Sequence, residues 1–269
     1  MKKTHVLSPP LPQKAPPLPF STIVAVGRAF FMVGCTLWHL VPLLIQSAVW
    51  GHDMNRSLRV RKRWAPHVLG GLGVRIWRTS PLPQHEGPAL YVGNHRSYLD
   101  PIVVLRDVEA LPVAKAEVAS WPLIGFAAKA TGIMYVKRQS KRSRLSTLMA
   151  IRQTLINGHS VLLYPEGTTH LQARTISFRK GGFRVAAELG IPVIPIAIDY
   201  PDSSNAWVGD DAFIPHFLRV FGKKFMDVYI SYGPPLYDDD PEHLIRRTRE
   251  WIDEQLARWP RLDLARPLK

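Results

Sequence analysis

ALYVGNHRSYLDP, residues 89–101, reads as a buried strand that runs into a polar turn and then into a helix. The apolar run Leu90-Tyr91-Val92-Gly93 has strand length. Pro101 suits the first turn of a helix, because its missing N–H has no partner there anyway, and Asp100 before it is a good N-cap. His95 and Asp100 stand five positions apart within the turn. Taken alone, they are a loop hydrogen-bonder and a helix cap. The sharper alternative is a general base and the carboxylate that orients it.

The strand-then-helix rhythm continues outward. Strands are expected at residues 74–78, 90–93, 111–114, 133–137, 161–164, 193–198 and 228–232, and helices near 100–107, 117–130, 141–157, 180–189 and 241–258. Alternation of this kind predicts an α/β fold, a central mixed sheet flanked by helices, as one domain over residues 74–269. Residues 201–224 break the rhythm and read as a surface insertion whose aromatics could touch lipid.

Upstream the pattern differs. Residues 1–20 hold Pro9, Pro10, Pro12, Pro16, Pro17 and Pro19, and read as a disordered extended arm. Residues 21–73 read as a helical membrane-anchoring segment. No Asp, Glu, Lys or Arg occurs from Ala29 to His52, which is long enough for a membrane-embedded helix, with Gly34 and Pro42 as points where it would break. The basic cluster Arg56, Arg59, Arg61, Lys62 and Arg63 follows. Basic residues beside an apolar segment stay cytoplasmic and attract anionic lipid, so the following domain is expected to face the cytoplasm. Leu58, Ala65, Val68, Leu69 and Leu72 then recur at helical spacing and predict a basic amphipathic helix lying on the membrane, with Pro66 arguing against continuity.

The chain of 269 residues carries 46% hydrophobic and 21% charged residues, ordinary for a globular protein, but its net charge of +14 points to a polyanionic partner. The single cysteine, Cys35, excludes an intramolecular disulfide and a cysteine-rich zinc cluster, and its apolar setting reads as packing rather than nucleophilic chemistry. No metal or other cofactor is expected. G-x-S-x-G, the Walker loop and H-E-x-x-H do not occur, and Gly70-Gly71-Leu72-Gly73 lacks the last glycine of a dinucleotide fingerprint. An RNA-binding reading rests on charge alone, so no nucleic-acid partner is expected.

Three further segments are built for anion or hydroxyl chemistry. Gly132 to Arg138 is a strand ending in the cations Lys137 and Arg138. Tyr164-Pro165-Glu166-Gly167-Thr168-Thr169 follows a strand with a carboxylate, a flexible glycine and two hydroxyls. Phe178-Arg179-Lys180-Gly181-Gly182-Phe183 is basic and glycine-rich where a helix begins, and offers N–H groups to a phosphate. Ligands of α/β sheets gather at the carboxyl ends of strands, and His95, Arg138 and Glu166 all follow strands.

These four segments carry a family resemblance. NHRSYLD resembles the N-H-x-x-x-x-D motif of the glycerolipid acyltransferases, the 1-acylglycerol-3-phosphate O-acyltransferase group. Gly132 to Arg138 is similar to that family's second block, Tyr164 to Thr168 to its Phe-Pro-Glu-Gly-Thr block, and Ile191-Pro192-Val193-Ile194-Pro195-Ile196 to its fourth. Lys115, Glu117 and the Phe178 to Phe183 segment also match, and the resemblance runs over residues 74–235.

The resemblance implies a membrane-associated enzyme that moves a fatty acyl group from acyl-CoA or acyl carrier protein to a lysolipid hydroxyl. The expected acceptor is 1-acyl-sn-glycerol 3-phosphate, giving phosphatidic acid in phospholipid biosynthesis. It implies His95 as general base and Asp100 as its partner, with Arg138, Glu166, Gly167 and Thr168 holding the acceptor. Two departures stand out. Lys137 occupies a position where the family often has Asp, and Thr169 one where it often has Arg. Lys137, Arg179 or Lys180 would then replace the missing phosphate ligand, or the acceptor is a lyso-ornithine lipid or another lysophospholipid. A non-catalytic lipid- or RNA-binding protein is the alternative from another class.

Overall fold

The computed structural model describes residues 18–116, 131–136, 140–209 and 211–260. The expected helix at 117–130 and the cations Lys137 and Arg138 lie outside the described residues.

Helix α1 (Leu18–Trp50) runs unbroken through Gly34 and Pro42, and it starts three residues inside the expected proline-rich arm. The predicted break is therefore corrected. Its stretch Phe20–Trp50 has 31 residues, and only 11% of its most apolar window is buried. At about 1.5 Å per residue such a helix exceeds the ~30 Å of a bilayer's hydrocarbon. Length and composition thus let α1 cross a membrane, and its exposed apolar side sets it apart from a core helix. Phe20, Ile23, Phe30, Trp38, Ile45 and Trp50 are all exposed.

The opposite side of α1 packs on α2 (Met54–Gly71) and on α6 (Phe213–Phe221). Arg28 fixes the second contact. Its guanidinium donates to the carbonyls of Phe221, Lys223 and Lys224, just where α6 ends with unpaired carbonyls. Asp53 caps α2 by accepting from the Asn55 N–H, and α2 continues through Pro66.

The expected apolar face of α2 is real, but protein covers it. Leu58, Ala65, Val68 and Leu69 are buried, Val68 and Leu69 in one cluster with residues of α3 (Asp100–Asp107) and the sheet. A helix cannot bury one face twice, so the reading of α2 as lying on a membrane by that face is corrected. Arg61 also leaves the basic cluster. It is 5% exposed and donates to the carbonyls of Ala110 and Thr131, and burial lowers its pKa to about 10.

The sheet has seven strands in the order β1-β7-β6-β2-β5-β3-β4. They are β1 (Val74–Arg78), β2 (Leu90–Gly93), β3 (Ala110–Lys115), β4 (Met134–Val136), β5 (Ser160–Leu163), β6 (Val193–Asp199) and β7 (Met226–Tyr232). All neighbours pair in parallel except β6 and β7, so the sheet is mixed, as its sequence predicts. Side-chain alternation on β2 shows both faces covered. Tyr91 joins the cluster holding α3 and α6, while Leu90 and Val92 join the cluster under α5 (Gly181–Leu189). Helix α4 (Lys141–Ile156) lies beside α5, and α7 (Pro241–Arg258) packs on β6.

This topology selects one place for a ligand. From β2 the chain crosses through α3, on one face, to β3 beyond β5. From β5 it crosses through α5, on the other face, to β6 beyond β2. The two connections leave adjacent strands in opposite directions and open a crevice at the carboxyl ends of β2 and β5. The expected insertion at 201–224 contains helix α6, whose Phe217, Val220 and Phe221 are buried rather than free to meet lipid, although Ile214 is exposed.

Candidate functional site

The crevice between β2 and β5 holds His95 and Asp100. Asn94 ends β2 by imitating a strand. Its side-chain amide donates to the Ile198 carbonyl at 2.8 Å and accepts from the Ile198 N–H at 2.9 Å. That pair binds the end of β2 to β6 and starts the turn. His95 Nδ1 then lies 2.8 Å from Asp100 Oδ2, and the same oxygen accepts from the Arg96 N–H at 2.6 Å and the Ser97 N–H at 2.8 Å. Oδ1 accepts from the Tyr200 hydroxyl at 2.7 Å.

The Asp100 carboxylate is therefore fully engaged by groups upstream of α3 and by β6's end. It is not the N-cap: Leu99 holds that position and makes no side-chain cap bond, so the cap reading is corrected. The physical reason is that Asp100 already sits inside the helix as its first residue, with its side chain turned back over the turn. Asp100 is wholly buried, whereas the His95 side chain is 16% exposed. A carboxylate can only accept from Nδ1–H, so Nε2 carries the lone pair. Burial first, and the nearby Asp100 charge second, push the Tyr200 phenol well above its ordinary range, so it stays a donor.

The imidazole is gripped from below as well. Its ring stacks on Tyr164 at 4.4 Å between centroids with 22° between planes. Gly93 makes the stack possible, because a Cβ there would stand 2.9 Å from Tyr164 Cε1. The Tyr164 hydroxyl is buried with no hydrogen-bond partner among the described residues.

Glu166 is turned into the protein. Its buried carboxylate accepts from the His95 N–H at 2.7 Å, from His170 Nε2 at 2.8 Å and from the Ile176 N–H at 3.2 Å. It holds the His95 backbone and the segment after β5 together. The tautomer of His170 follows, since its Nδ1 accepts from Arg96 and from the Gln172 N–H. Arg96, fully buried, also donates to the His170 and Gln172 carbonyls and to Asp199 at the end of β6. Three segments far apart in sequence thus meet beneath one imidazole.

The remaining predicted site residues divide. Thr168 lines the cavity beside His95. Gly167 has φ +71°, which favours glycine, and a Cβ there would lie 3.0 Å from the Arg179 Nε. Arg179 thus lies over this turn, and it is exposed. Lys180 does not come to the cavity. It forms a surface pair with Glu242 of α7 at 3.4 Å. The glycines that follow serve packing, because a Cβ on Gly182 would strike Leu163 at 2.5 Å and one on Gly181 would strike Leu148 at 2.7 Å. Their sequence signal, small residues where a helix meets a strand, fits both packing and a phosphate.

Sequence reasoning did not single out Arg96, His170, Tyr164 or Tyr200 for the site. Arg96 sits inside the NHRSYLD stretch, but its partners come from β6 and from the segment after β5. Tyr200 lies 100 positions from Asp100, and no local pattern links them.

Away from His95 extends a cavity of about 550 Å³. Its walls are apolar side chains of α1, α2, α3 and α6, among them Leu40, Leu43, Trp64, Ile102 and Phe217. Lys115, at the end of β3, also lines it. His95 therefore stands where an apolar chamber meets a polar strand-end crevice. Such a chamber suits a hydrocarbon chain, and the histidine suits a reacting hydroxyl beside it.

Comparison with known proteins bears on this arrangement. A family model described as Acyltransferase matches residues 74–199. A lyso-ornithine lipid O-acyltransferase of Pseudomonas aeruginosa is 30% identical over 184 residues, covering 66% of this chain and 70% of that protein. A chloroplast 1-acyl-sn-glycerol-3-phosphate acyltransferase of Arabidopsis thaliana is 37% identical over 183 residues, covering 66% of this chain; the chain spans about half, 50%, of that relative's length. The crystal structure of the 1-acyl-sn-glycerophosphate acyltransferase PlsC of Thermotoga maritima shares the fold, with a TM-score of 0.64, 19% identity, and coverage of 94% of this chain and 98% of that one. The matched region holds the strand-end histidine, its buried aspartate and the Glu166 segment beneath them, and by it the chain belongs to the acyltransferase family.

Proposed function

We propose that the chain is a membrane-associated O-acyltransferase. It moves a fatty acyl group from the thioester of acyl-CoA or acyl carrier protein to the hydroxyl of a lysolipid, with 1-acyl-sn-glycerol 3-phosphate as first acceptor and phosphatidic acid as product. The observation that carries this reading is His95: Nδ1 is bound to buried Asp100, and the ring borders an apolar chamber.

Nε2 takes the proton of the acceptor hydroxyl as its oxygen attacks the thioester carbonyl. The Asp100 carboxylate, 2.8 Å from Nδ1, stabilises the imidazolium that forms. Collapse of the tetrahedral intermediate breaks the carbon–sulfur bond, and the imidazolium returns its proton to the departing thiolate. Buried Ser97 keeps its oxygen for the Leu99 N–H, so direct transfer is favoured over an acyl-enzyme. Thr168, Lys115 and Arg179 stand near enough to the site to serve an acceptor headgroup. Arg138 belongs to the same proposal by resemblance, and Lys137 as a cation that would replace the missing phosphate ligand. Helix α1 supplies the membrane contact. The exposed cations Arg59, Lys62 and Arg63 after it favour a cytoplasmic placement of the α/β domain.

A second acceptor has its own support. Thr169 stands where an arginine would clamp a phosphate, and the Pseudomonas relative is a lyso-ornithine lipid acyltransferase. A panel of lysolipids offered with acyl-CoA and acyl carrier protein donors, read by product mass, decides between the two. Acylation of any lysolipid, abolished in His95→Ala with the fold intact, is the expected result. A His95→Ala protein that keeps most of its activity would defeat the mechanism.

A further inference from the structure

Cys35 and His39 stand one helical turn apart on α1, so their side chains leave the same face. His67 reaches the pair from α2. The cysteine sulfur and one ring nitrogen of each histidine all lie within 4.8 Å of one another. His39 Nε2 and His67 Nδ1 are 2.9 Å apart, with the ring centroids at 5.2 Å.

We propose that Cys35, His39 and His67 form a three-ligand site for Zn²⁺ or a similar borderline divalent ion, which clips α1 to α2. The donor set argues for that class. One thiolate and two imidazoles suit zinc, whereas a hard cation such as Mg²⁺ or Ca²⁺ would need carboxylate or carbonyl oxygens. Zinc bonds of about 2.0–2.3 Å place tetrahedral donors roughly 3.3–3.8 Å apart, so small side-chain shifts convert the observed cluster into ligands. Arg63 acts on His39 electrostatically, and one thiolate partly offsets its repulsion of a cation. Three protein ligands leave a fourth position for water.

The placement gives the ion something to do. His39 lines the cavity that holds His95, and α1 and α2 form part of its wall. A metal joined to both helices sets their lateral register and so fixes that wall. Cys-x-x-x-His on one helix escaped the sequence reading because its third ligand lies 28 positions beyond His39, on another helix.

The untagged full chain in detergent, stripped with a chelator, is titrated with Co²⁺ and then with Zn²⁺. One equivalent of Co²⁺ per chain, with a thiolate-to-cobalt charge-transfer band that Zn²⁺ abolishes, is expected. Cys35→Ser should lose the band, and His67→Gln should weaken binding by more than about tenfold. A readout that needs no variant uses the single cysteine of the chain: Zn²⁺ should slow maleimide labelling of Cys35 by at least about tenfold. An unchanged labelling rate, or equal Co²⁺ binding by the wild type and both variants, overturns the proposal and leaves only a histidine–histidine hydrogen bond.

Discussion

In the proposed mechanism, Asp100→Asn separates orientation of the base from its electrostatic support. The amide has the carboxylate's size, so the buried site keeps its packing. Its oxygen, placed at Oδ2, still accepts from Arg96 N–H, Ser97 N–H and His95 Nδ1, and Tyr200 turns its hydrogen away from the new amide N–H. What disappears is the negative charge beside the imidazolium. With Nδ1 and Oδ2 2.8 Å apart, the charge centres lie at ~4 Å, where an effective dielectric of about 20 gives an interaction of about 4 kcal/mol. At about 1.36 kcal/mol per decade, kcat should fall by about 10³-fold. The acceptor KM should change little, because the charge acts on the transition state rather than on the resting lipid. The assay is the initial rate of thiol release from acyl-CoA with a lysolipid in mixed micelles, alongside a thermal melt. Lost charge-assisted hydrogen bonds should lower stability by about 1–3 kcal/mol, which leaves the fold populated at assay temperature. A folded Asp100→Asn enzyme within about tenfold of wild type would refute the pairing of His95 with Asp100 as the source of rate.

Other consequences follow from single contacts. Glu166→Ala strips the acceptor from three donors, so it should cost about 2–4 kcal/mol in a denaturant melt, and restoring the shape with Gln should recover part of that. Tyr164→Phe keeps the stack under His95 and removes a buried hydroxyl that has no partner among the described residues; the melt should show a gain of about 1 kcal/mol with activity retained. Leu43→Trp narrows the apolar cavity from the α1 side, so competition among acyl donors should shift toward shorter chains. Burial holds the His216 imidazole below its ordinary range while its Nε2–H donates to the Ala206 carbonyl. The unfolded chain then takes up that proton first. The stability contributed is complete above about pH 6.5 and is lost as pH falls toward the lower folded value, so the melting midpoint should drop on acidification, and less so in His216→Gln.

The legible part of the fold was periodic. Strands of three to seven residues with apolar runs, and helices with a proline or a cap at their start, appeared where their patterns placed them; β1 and α7 match to the residue. The misreadings came where one signal has two physical outcomes. The apolar face of α2 fits a membrane or a protein core, and Val74, Leu105 and Phe221 share its cluster in the fold. Gly34 and Pro42 are helix-breaking residues, yet α1 continues through both. Gly181 and Gly182 suit both a phosphate and close packing, and what the fold shows is the packing, against Leu148 and Leu163.

By itself the sequence determined the α/β rhythm, the apolar first helix and the probe-worthy pair His95 and Asp100, since each depends on residues within a few positions of one another. Tertiary structure alone decided what surrounds that pair. Tyr200 on the Asp100 carboxylate, Glu166 on the His95 backbone, Arg96 beneath His170, and α1 and α2 as the cavity wall all join segments 28 to 100 positions apart. Those contacts follow from the order of strands in the sheet and from which face each crossover takes, and no local spacing encodes either.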